Sequence, residues 1–126
     1  MTLVCVIQYN EVEVNRMDEQ TLINQLAVEL KRGTQIMAVL SQLKKETYGY
    51  ALLQALEEKG VAIEAGTLYP LLRRLESQGL LMSNWDTTES RPRKYYVLSD
   101  TGKTVLDALF KEWIIIEKNM QKLLEE

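Results

Sequence analysis

The sequence predicts a mainly α-helical fold carrying one small β-hairpin. Leu68, Leu71, Leu72 and Leu75 recur at i, i+3, i+4 and i+7, the spacing of one apolar face at 3.6 residues per turn. Behind them two short runs rich in strand formers, Leu80 to Trp85 and Lys94 to Leu98, flank the polar stretch Asp86 to Arg93 and read as a hairpin. Further on, Leu106, Leu109, Trp113, Ile116, Met120 and Leu123 alternate steps of three and four, a heptad-like seam that suits helix pairing. Helix, helix and two-stranded wing make a winged helix-turn-helix, here followed by a C-terminal dimerisation helix. The expected organisation is an N-terminal extension over residues 1–16, a winged-helix DNA-binding unit with its own leading helix over 17–100, and the dimerisation helix over 101–126.

The extension stands apart from the rest. Thr2 to Tyr9 is β-prone, whereas Met17-Asp18-Glu19 reads as a fresh start into a helix. One expectation is an upstream-assigned start, with Val12-Glu13-Val14 encoded by a purine-rich ribosome-binding sequence. The other is a strand or tail packed on a dimer, because an exposed apolar run is an aggregation hazard. From Leu22 to Leu43 the apolar positions form two helical pieces separated at Gly33-Thr34. Tyr48 to Lys59 supplies the next helix, with Tyr50, Leu53 and Leu56 inward and Gly60 as terminator.

The helix through Leu68 to Leu75 is the candidate reader of DNA. Pro70 has no N–H to give, which places it in or near the first turn and the helix start within Glu64 to Leu68; Gly79 closes the far end. Opposite the leucines lie Gly66, Pro70, Arg73 and Ser77, flanked by Tyr69 and Arg74, so the outer face is small or flat at one end and cationic at the other. Such a face suits a groove lined with phosphates. Arg91, Arg93 and Lys94 sit on the hairpin tip and its return strand, within reach of a phosphate backbone or a neighbouring minor groove. In the last helix, Phe110, Ile114, Ile115 and Leu124 widen the apolar face, so it is expected to pack also on Leu22 to Leu30 of its own or a partner subunit. A homodimer follows.

Composition excludes several functions. With no histidine and a lone Cys5, zinc sites and Ser-His-Asp or Cys-His catalysis are ruled out, and there is no phosphate-binding loop; no cofactor is expected. One cysteine, no apolar run long enough to span a bilayer and no signal peptide point to the cytoplasm. The 126 residues are expected to bury only a modest core alone. Glu57, Glu58, Glu64 and Glu76 read as solvated helix faces. The net charge of −3 is acidic, yet from Lys59 to Lys94 six cations face four anions, so the DNA-facing segment carries a small positive surplus. Binding should therefore fall steeply with salt.

Taken together, Tyr48-Gly49-Tyr50, Gly66-Thr67-Leu68-Tyr69-Pro70, Arg74-Leu75-Glu76, Gly79-Leu80, Arg91-Pro92-Arg93-Lys94-Tyr95-Tyr96 and Leu98-Ser99-Asp100-Thr101-Gly102 resemble the PadR family of bacterial transcriptional regulators over about Leu30 to Leu106. The resemblance implies a dimeric winged-helix repressor that binds a partly palindromic operator in double-stranded DNA and releases it when an effector binds. Gly66, Thr67 and Tyr69 would approach base edges or backbone, and Arg73, Arg74, Arg91, Arg93 and Lys94 mostly phosphates. Two positions depart from the family pattern: Ser90 stands where a glycine is frequent, and Ser99 replaces the usual threonine as cap of the last helix. Phe110-Lys111-Glu112-Trp113 resembles the context in which short-tailed, multidrug-binding members stack a tryptophan on planar aromatic compounds between subunits. Trp113 and Phe110 are therefore candidate ligand residues, with plain packing in the seam as the alternative for Trp113. A winged-helix protein–protein adaptor that does not touch DNA is the alternative for the whole chain; an enzyme is not expected.

Overall fold

The computed structural model describes residues 18–125. The expectations for residues 1–16 lie outside them. Helix α1, Glu19–Arg32, begins where Asp18 accepts a hydrogen bond from the Thr21 N–H at 2.7 Å, a bond that also holds the Asp18 carboxyl below the ordinary aspartate value. After Gly33-Thr34 the chain resumes as α2, Gln35–Ser41, so the break falls where the glycine placed it. A two-residue strand, β1 (Thr47–Tyr48), leads into α3, Gly49–Glu58. Then come α4, Ala65–Ser77, the strands β2 (Leu81–Asp86) and β3 (Arg93–Leu98), and the long α5, Asp100–Leu124.

Leucine burial fixes how these elements meet. Val39, Leu40, Leu43, Leu52, Leu68, Leu72 and Leu75 are wholly buried, and Leu81, Tyr96 and Leu98 close the core from the sheet side. The strand order is β1-β3-β2, antiparallel throughout, with Leu81 opposite Leu98 and Asp86 opposite Arg93. Both helices of the central motif stop at a glycine in the left-handed region. Gly60 (φ 80°) and Gly79 (φ 78°) let the next amide turn back: Val61 N–H donates to Leu56 O at 2.9 Å and Leu80 N–H to Leu75 O at 3.0 Å.

The start of α5 is locked to the end of α4. Ser99 Oγ accepts from the Gly102 N–H at 2.9 Å and donates to the Gly79 carbonyl at 2.6 Å, while Ser99 N–H donates to Leu80 O at 3.0 Å. Gly102 itself is buried against this node, where a Cβ would collide with the Leu80 carbonyl oxygen. Val105, Leu106 and Leu109 then pack on the core, so the first part of the expected seam is partly covered by its own chain. Beyond it Trp113, Ile116, Met120 and Leu123 stand exposed.

Two expectations are corrected. Tyr50 is 58% exposed: Leu52 and Leu56 define the inward face of α3, and a residue two before Leu52 lies about 200° round the helix. Tyr48 is not helical but pairs with Tyr95 in β1, a strand too short for any alternation to show in the sequence. The start of α4 at Ala65 falls within the expected Glu64 to Leu68, and Pro70, its sixth residue, lies just past the first turn and costs the Gly66 carbonyl its helical donor on the exposed side of the helix.

Candidate nucleic-acid interface

Burial of Leu68, Leu72 and Leu75 sets the rotation of α4 and leaves Gly66, Thr67, Pro70, Arg73, Arg74 and Ser77 on the solvent side. The helix is entered cleanly, with the Thr67 and Leu68 amides both donating to the Glu64 carbonyl at 2.9 Å. Its exposed N-terminal turns are narrow, since Gly66 carries no side chain and nothing lies within 4 Å of where a Cβ would be. That lets the backbone approach another surface closely. Arg73 and Arg74 project a turn later.

Tyr69 is held by α3. A Cβ at Gly49 would strike the Tyr69 ring edge and lie 3.1 Å from its Oη, so a glycine at the start of α3 is what makes room for the ring. Tyr69 stays 37% exposed. A glycine that seats a tyrosine of another helix has no local pattern, and Gly49 was not among the residues expected at the site.

The wing sets its cations in different states. Asp86 accepts from Thr88 Oγ1 at 2.7 Å and from the Thr88 N–H at 2.9 Å; these bonds shape the first turn of the tip and hold the Asp86 carboxyl below its usual value. Arg91 lies exposed in the tip. Arg93 lies with its guanidinium carbon 4.6 Å from the centroid of the Tyr48 ring and 4.0 Å from Glu89, and Tyr48 meets Tyr95 edge-on at 5.6 Å. The short β1 thus gives Arg93 an aromatic floor.

Glu76 stands differently from expectation, paired with Lys94. Lys94 Nζ is 3.4 Å from Glu76 Oε1 and 5.1 Å above the Tyr96 ring, and both partners are part-buried, so Glu76 is no solvated face. Burial works against the Lys94 charge, but Tyr96 and Glu76 outweigh it and raise the ammonium above the ordinary lysine value. The pair ties the last turn of α4 to β3. Among the described residues Glu76 Oε2 is buried with no hydrogen-bond partner. Four cations, Arg73, Arg74, Arg91 and Arg93, are the exposed ones of the expected set.

A second feature lies away from this face. Phe110 and Trp113 line one groove of about 840 Å³ with Met37, Ala38 and Val61, and Lys44, Lys103 and Asp107 stand at its polar positions. Trp113 is 37% exposed there. Among the described residues no cluster of acidic or cysteine side chains could hold a metal ion, and no helix is long and apolar enough to cross a membrane.

Comparison with known proteins bears on this geometry. The profile of the transcriptional regulator PadR-like family matches residues 36–108, from α2 into α5. The chain is similar in structure to a PadR family transcriptional regulator from Eggerthella lenta, with 50% identity and a TM-score of 0.82 over 84% of this chain and 95% of that one. It is also similar to a PadR family transcription regulator from Clostridium difficile, with 34% identity and a TM-score of 0.66 over 73% of this chain and 99% of that one. A transcriptional regulator of Mycobacterium tuberculosis is 39% identical over 61 residues, which are 48% of this chain and 57% of that protein.

Proposed function

The chain belongs to the PadR-like family of transcriptional regulators, a class of DNA-binding proteins and not of enzymes, and from that premise we propose a cytoplasmic homodimeric repressor relieved by a planar aromatic effector. The observation that carries the DNA arm is that Tyr69 of α4 and the wing's Arg91 and Arg93 line one groove, while Gly66, Thr67, Arg73 and Arg74 stand exposed along the same helix. With α4 in the major groove, the wing arginines reach the flanking backbone or minor groove.

Exposed apolar surface supports the dimer. Helix α1 has no buried residue, yet Leu22, Ile23, Leu26 and Leu30 are 47–79% exposed; on α5, Ile116, Met120 and Leu123 are 47–72% exposed. Two helices with bare apolar stripes are what a partner subunit would cover. The groove beside Trp113 supports the effector, since it offers an indole face, a phenyl ring and a few polar groups in one concavity. Helix α5, which forms one wall, is capped by Ser99, and Ser99 also donates to the carbonyl of Gly79, the glycine that ends α4, so a shift of α5 would be felt by the DNA-reading helix.

Selection of duplexes from a random pool by the full chain tests the reading. It should enrich a two-fold symmetric sequence with half-sites about one helical turn, roughly 10 bp, apart. Enrichment of no sequence, or of an asymmetric single site, contradicts it.

A further inference from the structure

Between α3, α4 and the wing runs a groove of about 660 Å³ in which Tyr50 and Trp85, two aromatics outside the contacts above, stand with Tyr69, Arg91 and Arg93. Its aromatic walls are open: Tyr50 is 58%, Trp85 59% and Tyr69 37% exposed. Trp85 stands directly opposite Lys94 in the hairpin, so its ring shares the sheet face of Lys94 and borders the groove with it. Three cations, Arg91, Arg93 and Lys94, line the groove and no carboxylate does. Glu76 already neutralises Lys94, which leaves the two arginines for an occupant.

That occupant must be anionic at its edges and apolar on its face. A DNA strand passing from a major groove filled by α4 to the wing has this character, since each deoxyribose shows C–H faces between two phosphates. We propose that the groove seats one sugar–phosphate step of the bound DNA, with Tyr50 and Trp85 against the deoxyribose and Arg91 and Arg93 on the flanking phosphates. The proposal rests on the reading of α4 and the wing as the DNA-binding face. Neither Tyr50 nor Trp85 belongs to the contact set expected from the sequence. Sugar and phosphate are the same at every position, so these two aromatics add affinity and register without sequence preference.

The test follows a labelled mixed-sequence duplex titrated with the full chain at low salt, anisotropy reporting binding and tryptophan emission reporting the groove. Emission should change as the duplex binds and recover when salt releases it, and Trp85→Phe should remove that change. Trp85→Ala and Tyr50→Ala should each weaken binding several-fold, and equally for mixed-sequence and selected duplexes. Duplex binding that leaves Trp85 emission and the affinity of both alanine variants undisturbed overturns the groove while the DNA-binding face stands. Failure of the full chain to bind any duplex at low salt overturns both.

Discussion

At the scale of single residues, the four wing and helix arginines and Lys94 differ in what already holds them. Arg93 is exposed, floored by Tyr48 and only loosely paired with Glu89, so a phosphate can displace the carboxylate. Arg93→Ala should therefore weaken all DNA sequences alike and lower the slope of log affinity against log salt by about one. Glu89→Gln should act in the opposite direction and tighten binding, because it removes the carboxylate that competes for that guanidinium. Lys94→Met should leave the salt slope unchanged and instead destabilise the fold by about 1–3 kcal/mol in a denaturant titration, since it strands a part-buried carboxylate at Glu76. A Lys94→Met protein of full stability with a reduced slope would return Lys94 to the phosphate contacts. The sequence could place these cations on a hairpin but could not separate them. Glu76 and Lys94 lie 18 positions apart, and only the packing of α4 on β3 brings them together.

Among the elements, α4 was legible nearly to its ends because three signals agree there: the leucine period, a proline that fixes the early turns and a glycine that stops the helix. The hairpin was legible as well, as two strand-forming runs about a polar tip, whereas its register appears only in the pairing of Leu81 with Leu98. What the sequence could not give is β1, whose two residues form a strand only because β3 offers a free edge, and the direction of Tyr50, which depends on where Leu52 finds the core. The junction of α4 and α5 is the element-level feature with the clearest energetic consequence. Ser99 both caps α5 and holds the Gly79 carbonyl, so Ser99→Ala should cost about 1 kcal/mol, read as a lower denaturant midpoint at unchanged slope. Ser99→Thr, which keeps the hydroxyl, should recover most of it. Gly102→Ala should cost more than Ser99→Ala, because the added methyl meets the Leu80 carbonyl and not a movable side chain.

For the whole molecule, the bare stripes on α1 and α5 predict assembly. Ile116→Glu with Met120→Glu places charge on exposed positions of one chain and so should spare the subunit fold, while light scattering shows the dimer lost. An intact dimer would move the interface elsewhere. Trp113→Ala should weaken a planar aromatic compound by about 1 kcal/mol with the DNA-binding face intact, and any such compound must weaken DNA by the factor by which DNA weakens it. Whether this regulator reads DNA through α4 and the wing is decided by one titration: a selected duplex against the wild-type chain and against Arg73→Glu with Arg91→Glu, across a range of salt. The wild type should bind tightly and with steep salt dependence, and the folded, dimeric double variant should lose binding. Equal affinity and equal salt dependence for the two proteins would contradict it.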